Sequence, residues 1–314
     1  MMIKKMAYGL LVLLILGTGS IFVSYSNFSE ERLTAIKTGS KILDTAAGPM
    51  EYQQIGNNGP VLLFLHGTPG GYDQAIPFEG TRVLAPSRPG FLRTPLETGR
   101  TPQEQADAYA ALMDSLGIDQ VIVMGASGGG PSAIAFAARH PDRTVALIAL
   151  EAVSQPFSVE DQAIEMPFLM RSDFYMWASL SAMKTLMGPE GIVEAVVPNP
   201  KNQRLLLDDP AKLGMMESLM WSSWPISQRQ LGQANDFAQF ADLDLNASAI
   251  IVPTLIIHGT EDINVEYTQS IALAQQIPGA ILHAVDGADH MMPFSHSKEM
   301  TAAIEEFLTG LKAL

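Results

Sequence analysis

The arrangement of apolar residues changes along the chain. Segments 41–46 and 50–55 alternate loosely between apolar and polar positions, which predicts two paired edge strands. From residue 61 onward the apolar residues form short continuous runs bounded by Gly and Pro, a pattern typical of strands buried on both faces. These runs are VLLFLHG at 61–67, RVLAPSRPG at 82–90, VIVMGAS at 121–127, VALIALEA at 145–152, IIVPTLIIHG at 250–259 and ILHAVDG at 281–287.

Helical patterns lie between the buried runs. Apolar residues recur at helical spacing in segments 102–116, 130–139, 267–276 and 298–311, and Thr101 stands at the N-cap of the first. This alternation predicts an α/β fold with a mostly parallel sheet flanked by helices. The helical stretch of roughly a hundred residues after the run at 145–152 is too long for a simple crossover, which indicates an inserted cap. The predicted division is a core of 38–152 and 249–314 and a helical cap of 153–248.

The predicted cap is rich in large apolar side chains. It contains all three tryptophans of the chain, Trp177, Trp221 and Trp224, together with many methionines. Such residues suit an apolar ligand, although many of them are expected to form the cap's own core. We therefore expect a small-molecule partner with an apolar group.

The amino-terminal segment of residues 1–29 differs from the rest of the chain. Lys4 and Lys5 precede the apolar run GLLVLLILG at 9–17, a pattern typical of an export signal. The uncharged stretch is long enough to span a bilayer and no A-x-A cleavage site follows it, so we expect a signal-anchor, with a cleaved signal peptide as the alternative. The rest of the chain is then expected outside the cytoplasm, attached to the membrane by this segment only, or released into the periplasm or extracellular space after cleavage. A polar linker is expected over 27–37.

Charge and composition exclude several classes of partner. The net charge of −14 at pH 7 would repel phosphates, so no nucleic-acid partner is expected. Cysteine is absent, which excludes disulfides and thiolate chemistry. The sequence also lacks H-E-x-x-H spacing, a dinucleotide-binding fingerprint and a P-loop, so we predict neither a metal site nor a cofactor.

The segment VIVMGASGGGP at 121–131 carries a G-x-S-x-G motif between a buried strand and a helix. A strand that turns sharply into a helix holds its serine in a strained conformation, and side chains at positions 125 and 129 would collide with the turn. We therefore predict Ser127 as a nucleophile presented above the edge of the sheet.

Two backbone N–H groups are predicted to stabilise a developing oxyanion beside this serine. The start of the following helix directs the N–H of Gly128 and the positive end of the helix dipole at the same point. The turn HGTPGG at 66–71 follows another buried strand and brings a flexible backbone near, so the N–H of Thr68 is the second predicted donor.

An acid and a base follow two later strands. Asp262 comes just after the run 250–259, and His290 lies in the loop after the last run, so both are expected at the carboxyl edge of the sheet. Neutral imidazole can take the proton of a hydroxyl near pH 7, which makes His290 the predicted base and Asp262 the acid that orients it. Glu151 is the alternative acid and His296 the alternative base.

These motifs resemble those of the α/β-hydrolase superfamily with a helical cap, over residues 40–314. The resemblance rests on HG-x-P at His66, RPG at Arg88, G-x-SGG at Gly125 and HG-x-x-D at His258. Ser87 stands where these enzymes usually have an aspartate before the arginine. The resemblance implies an α/β-hydrolase fold and cofactor-free hydrolysis through an acyl-enzyme on Ser127, as in esterases, prolyl iminopeptidases and carbon–carbon bond hydrolases.

Within this superfamily, a carboxylic ester is the expected substrate. Dehalogenases and epoxide hydrolases carry aspartate at the elbow, and iminopeptidases usually have tryptophan after the serine, where this chain has Gly128. An iminopeptidase or amidase is nevertheless the alternative enzyme, and a non-catalytic ligand-binding protein of this fold is the alternative from another class. The cap acids available to hold a substrate amine are Glu160, Asp161, Glu165, Glu190 and Glu194.

Overall fold

The computed structural model describes residues 2–75, 81–157 and 172–311, with side chains from residue 17 onward. Within these residues, eight strands form one sheet in the order β1-β2-β4-β3-β5-β6-β7-β8. The strands are β1 (Lys41–Thr45), β2 (Gly48–Ile55), β3 (Val61–Leu65), β4 (Arg82–Pro86), β5 (Val121–Ala126), β6 (Thr144–Leu150), β7 (Thr254–Gly259) and β8 (Ile281–Val285). The helices are α1 (Met2–Thr38), α2 (Pro102–Leu116), α3 (Gly130–Arg139), α4 (Asp173–Val196), α5 (Pro200–Leu207), α6 (Pro210–Trp221), α7 (Gln230–Phe240), α8 (Tyr267–Gln276), α9 (Met292–Ser295) and α10 (Ser297–Leu311).

The sheet is parallel except at one edge. Strands β1 and β2 form an antiparallel hairpin, and β2 also pairs antiparallel with β4. From β4 through β8 every neighbouring pair is parallel, so the carboxyl ends of these strands meet along one edge of the sheet. Helices α2, α3 and α8 pack on one face of the sheet, and α10 packs on the other. The predicted mostly parallel sheet flanked by helices is confirmed.

The apolar runs differ in how deeply their strands are buried in the sheet. All five residues of β3 are buried, as its position between two neighbours and under helices on both faces requires. The last run behaves differently, because β8 pairs only with β7 and leaves Ile281 53% exposed. The run that begins at residue 250 enters the sheet only at Thr254, after Pro253.

Helices α4 to α7 lie between β6 and β7, in the segment predicted as a cap. Helix α4 is kinked at Gly188, whose φ of 67° lies in the left-handed region, and Pro189 follows it. Proline lacks an N–H and clashes with the preceding turn, which accounts for the break. Residues 158–171 of the predicted cap lie outside the described residues.

The amino-terminal helix α1 continues to Thr38, so the expectation of a polar linker over 27–37 was wrong. Tyr25, Phe28, Arg32 and Ile36 recur every three or four residues and therefore share one face of the helix. Ile36 on this face is buried in the core, and its carbonyl accepts a 2.6 Å hydrogen bond from the hydroxyl of Tyr72. The charged positions between them hid this stripe in the sequence.

The aromatic face of α1 packs against the tryptophans of the cap. The ring of Phe28 lies 4.7 Å from that of Trp221 and 5.0 Å from that of Trp224, and Tyr25 lies 5.3 Å from Trp177, measured between centroids. These tryptophans thus hold the helix to the cap.

The described part of the chain contains no helix with both the length and the apolar character needed to cross a membrane. Most of the apolar run of the predicted anchor falls on residues 9–16, whose side chains lie outside the described ones.

Candidate active site

Ser127 stands directly after β5, at the point where the chain turns into α3. Its φ of 49° lies in the left-handed region, which L-residues rarely adopt and which aims the side chain away from the sheet. The glycines around it are required by close packing. A Cβ at Gly125 would clash with the side chain of Ala133, and one at Gly129 would clash with the carbonyl oxygen of Leu65.

Three predicted side chains form a continuous hydrogen-bonded chain. Nε2 of His290 lies 3.1 Å from Oγ of Ser127, and Nδ1 of His290 lies 2.7 Å from Oδ2 of Asp262. Each residue follows the carboxyl end of a different parallel strand, β5, β7 or β8, and these ends meet at one edge of the sheet. The structure therefore brings together residues that are separated by up to 163 positions in the sequence.

Asp262 is fixed by further hydrogen bonds. Its Oδ1 accepts from the backbone N–H groups of Asn264 at 2.8 Å and Val265 at 3.0 Å. Its Oδ2 lies 3.2 Å from Nε2 of His258. Burial alone would raise the pKa of the Asp262 carboxyl, but the hydrogen bonds from His258 and His290 outweigh burial and the pKa is lowered. Asp262 is consequently a carboxylate across the neutral pH range.

His258 is a supporting residue that the sequence analysis missed. Its Nε2 lies 2.8 Å from the carbonyl oxygen of Val265, which can only accept, so this nitrogen carries the hydrogen and also faces Asp262. The hydroxyl of Ser270 donates to Nδ1 at 2.6 Å and fixes the ring from the other side. The available signal was its spacing, because His258 precedes Asp262 by four residues in the H-G-T-E-D segment.

The pKa of His290 is raised. Burial would lower it, but the hydrogen bond to Asp262 and the negative charge of that carboxylate outweigh burial and raise the pKa to about 9. The site thus strongly stabilises an imidazolium, the form that a histidine takes once it has accepted a proton from a hydroxyl.

Glu151, the alternative acid, lies farther from the histidine. Its Oε2 is 4.0 Å from Nδ1 of His290, beyond hydrogen-bonding distance, and its Oε1 is buried with no hydrogen-bond partner among the described residues. Burial raises the pKa of Glu151 well above its usual value, and the charge of Asp262 adds to this, whereas His290 lowers it. These shifts disfavour the charged form of Glu151, and the distances favour Asp262 as the partner of His290.

Glu151, Asp262 and His290 also have the ligand types of a metal site, with their nearest ligand atoms within 4.8 Å of one another. Two features make them a poor metal site. Oδ1 of Asp262 already accepts from two backbone N–H groups, and its Oδ2 already faces the ring nitrogens of His258 and His290.

The two residues whose N–H groups are the predicted oxyanion donors, Thr68 and Gly128, lie side by side. A Cβ at Gly128 would clash with Oγ1 of Thr68, so the close approach of these residues requires glycine. A Cβ at Gly67 would lie 3.3 Å from the Cβ of Ser127, which places the turn after β3 against the nucleophile. The side chain of Thr68 and the backbone of Gly128 thus lie against each other, with Gly67 beside Ser127.

Comparison with known proteins agrees with this geometry. A family model described as the alpha/beta hydrolase fold matches residues 60–297. The chain belongs to the α/β-hydrolase family.

Individual relatives cover most of this hydrolase. A solved alpha/beta hydrolase fold protein from Nakamurella multipartita superposes with a TM-score of 0.79 at 33% identity, covering 86% of this chain and 98% of its own. The uncharacterized hydrolase YcgS of Bacillus subtilis (strain 168) is 28% identical and covers 82% of this chain and 93% of its own length. A 2-hydroxymuconate semialdehyde hydrolase of Pseudomonas putida is 28% identical over 74% of this chain and 79% of its own. The predicted family is confirmed, and the chain is a hydrolase.

A cavity of about 640 Å³ in this α/β hydrolase lies between the start of α5 and the loop after β7. Its lining includes Asp262 and Asp289 but neither Ser127 nor His290, so it approaches the triad from the side of the acid. It is therefore distinct from the space in which a substrate carbonyl would face Ser127.

The remaining predicted residues lie elsewhere or outside the described residues. Nδ1 of His296 lies 2.9 Å from Oγ of Ser295, the hydroxyl of its own neighbour in sequence. Of the cap acids considered for a substrate amine, Glu190 and Glu194 are exposed on α4. Glu160, Asp161 and Glu165 lie outside the described residues.

Proposed function

We propose that this α/β hydrolase cleaves carboxylic esters through an acyl-enzyme on Ser127. The observation that carries the proposal is the continuous chain from Asp262 through His290 to Ser127, with distances of 2.7 and 3.1 Å. A hydroxyl is a poor nucleophile until a base accepts its proton, and these contacts provide both the base and the group that orients it.

The proposed reaction has two halves. Ser127 Oγ attacks the ester carbonyl carbon while its proton passes to Nε2 of His290, and the resulting oxyanion accepts hydrogen bonds from the N–H groups of Thr68 and Gly128. The imidazolium then protonates the leaving alcohol, and the C–O bond breaks to give the acyl-enzyme. Water, deprotonated by His290, attacks the acyl carbon, and collapse of the second intermediate returns the proton to Ser127 and releases the acid.

An apolar acyl or alcohol group is the proposed feature of the substrate. Support comes from the composition of the cap, although its three tryptophans pack on α1 and so contribute less to this argument than the sequence suggested.

Covalent labelling of the full chain, purified in mild detergent, with a fluorophosphonate probe tests the proposal. We expect rapid labelling of the wild type and none of Ser127→Ala, because the probe phosphorus is attacked by the activated serine. Ser115→Ala is the matched control, since Ser115 is an exposed serine of α2 whose hydroxyl donates to the carbonyl of Ala111. Folded wild type that resists labelling would favour the non-catalytic ligand-binding protein.

Carbon–carbon bond hydrolysis is the second candidate. It is favoured by the 28% identity to a protein named 2-hydroxymuconate semialdehyde hydrolase. Turnover of that compound beside a matched p-nitrophenyl ester and a prolyl amide separates the candidates. Preferential hydrolysis of the ester supports our proposal, whereas preference for the semialdehyde or the amide replaces it with the corresponding activity.

We also propose that residues 1–29 anchor the hydrolase to a membrane, with the catalytic domain outside the cytoplasm. Lys4, Lys5 and the apolar run at 9–17 support export. The packing of Tyr25 and Phe28 on the cap supports an uncleaved segment, because cleavage after residue 29 would uncover the tryptophans. We expect the chain in the membrane fraction after an alkaline carbonate wash, with its amino terminus intact. A soluble chain lacking residues 1–29 would show instead the cleaved signal peptide.

A further inference from the structure

We propose that Asp236, on helix α7 of the cap, is a positioning residue for the oxyanion hole and acts through the side chain of Thr68. The inference rests on the proposed function, because it concerns the turn that would bind the substrate's carbonyl oxygen. Asp236 lies 168 residues from Thr68 in the sequence, and no sequence motif connects them.

The contact between the two residues is direct. Oγ1 of Thr68 donates a short hydrogen bond to Oδ2 of Asp236, and NH2 of Arg88 donates to the same threonine oxygen at 3.0 Å. Both hydrogen-bonding directions of the hydroxyl are thereby occupied, one as donor and one as acceptor. The side chain is therefore confined to one rotamer directly beside Gly128.

Arg88 and Asp236 form a buried ion pair beneath the turn. NH1 and NH2 of Arg88 donate to Oδ1 and Oδ2 of Asp236 at 2.9 and 2.5 Å, and their side chains are only 1% and 4% exposed. Nε of Arg88 donates to the carbonyl oxygen of His66 at 2.8 Å. Desolvating both charges is costly, so a buried pair of this kind is better explained by the geometry that it imposes than by stability.

A second residue of the cap contacts the same turn. Arg229, immediately before α7, is fully buried, and its NH1 donates to the carbonyl oxygen of Gly70 at 2.5 Å. Arg229 precedes α7 and Asp236 lies within it, and their side chains contact Thr68 and Gly70 of the same turn at 66–71.

Backbone hydrogen bonds fix α7 on the core. The N–H of Gly232 donates to the carbonyl of Gly90 at 2.9 Å, and the N–H of Leu92 donates to the carbonyl of Gln228 at 2.7 Å. A Cβ at Gly232 would clash with the ring of Phe91, so glycine permits this close approach. The carboxylate of Asp236 is consequently held in a fixed place although it belongs to the predicted cap.

Displacement of the Thr68 N–H by a fraction of an ångström would weaken its bond to the oxyanion, which forms only in the transition state. Removing one oxyanion donor typically costs about 10²- to 10³-fold in kcat, and a misplaced donor costs less. Asp236→Asn removes the charge that holds Arg88 and weakens the contact with Thr68. We expect kcat for p-nitrophenyl butyrate to fall about 10- to 100-fold, with KM changed by less than about threefold.

Variants of Thr68 test the hydrogen bond between Thr68 and Asp236 while the ion pair between Arg88 and Asp236 is kept. Thr68→Val keeps the shape of the side chain but removes the hydroxyl, and we expect kcat to fall about 10-fold or more. Thr68→Ser keeps the hydroxyl and should recover most of that loss. In Thr68→Val/Asp236→Asn the losses should not add, because both substitutions break one contact.

Glu51→Gln is the matched control. Glu51 is a fully buried carboxylate whose Oε1 lies 2.6 Å from Nε of Arg93, away from the triad. We expect it to lower the melting temperature while leaving kcat within about twofold of wild type.

The outcomes separate the two proposals. Wild type that is neither labelled by fluorophosphonate nor active on the ester overturns the proposed function. Labelled, active wild type together with unchanged kcat in Thr68→Val, or equal loss in Thr68→Val and Thr68→Ser, overturns the role of Asp236. If Asp236→Asn fails to fold, as thermal unfolding would reveal, the two Thr68 variants decide.

Discussion

The two sides of the active site are supported in different ways. On the core side, Ser127, Asp262 and His290 follow parallel strands whose register is fixed by backbone hydrogen bonds. On the cap side, the turn containing Thr68 contacts Asp236 of α7 and Arg229, the residue that precedes this helix. The positions of Ser127 and His290 thus depend on the sheet, whereas the position of the turn at 66–71 depends on how α7 packs on the core.

Replacement of the acid on the core side should have the largest effect. Asp262→Asn keeps the size of the side chain but removes the charge that stabilises the His290 imidazolium, so we expect kcat for the ester to fall about 10³- to 10⁴-fold. The measurement is steady-state kinetics of the purified full chain. Glu151→Gln is the variant for comparison, because Oε2 of Glu151 lies 4.0 Å from Nδ1 of His290, the nitrogen that faces Asp262. A larger loss in Glu151→Gln than in Asp262→Asn would assign the acid to Glu151.

The pH dependence of kcat/KM should also report on the core side. The reaction needs neutral His290, and its pKa is raised to about 9, so the rate should increase about tenfold per pH unit below that value and level off above it. Asp262→Asn should move the inflection toward lower pH, because the negative charge that raises the pKa is gone. A wild-type rate that is constant between pH 6 and 9 would contradict the raised pKa of His290.

The smallest effect on catalysis is expected where α1 meets the cap. Phe28→Ala removes a half-buried ring from contact with Trp221 and Trp224, at a cost of about 1–2 kcal/mol, so the melting temperature should fall by a few degrees. Phe22 is 68% exposed, and Phe22→Ala is the control that should leave the melting temperature unchanged. We expect both variants to keep wild-type kcat. A tenfold loss of kcat in Phe28→Ala would show that α1 helps to seat the cap on the active site.

Much of the core could be predicted because its local signals agree. The runs that became β3 to β7 lie inside the sheet, where strands covered on both faces leave no polar alternation, and Thr101 does cap α2 through the N–H of Glu104. The triad residues could be proposed because each follows such a strand, and parallel strands bring their carboxyl ends together. The local pattern of buried strands was therefore sufficient to predict which distant residues meet at the carboxyl edge of the sheet.

The contacts made by the cap could not be predicted in the same way. A helical pattern predicts a helix around Asp236, but it does not show which surface that helix meets, and the turn at 66–71 is far away in sequence. The stripe of α1 was missed for a related reason, because its apolar positions are interspersed with Glu30, Glu31 and Lys37. Contacts between side chains that are far apart in the sequence produce no periodic pattern of apolar residues from which they could be predicted.

Because α1 is one continuous helix, it fixes the orientation of the catalytic domain relative to the amino-terminal end of the chain. Its 37 residues extend about 55 Å at 1.5 Å per residue, and Tyr25 and the residues after it contact the helices beside the sheet and the core. Each residue added or removed within the exposed stretch 17–24 would turn the catalytic domain by about 100° around the helix axis relative to the amino-terminal end. If the amino-terminal end of α1 is held at a surface, the number of residues in this stretch sets the direction in which Ser127 faces that surface. One inserted alanine would change this direction by about 100°.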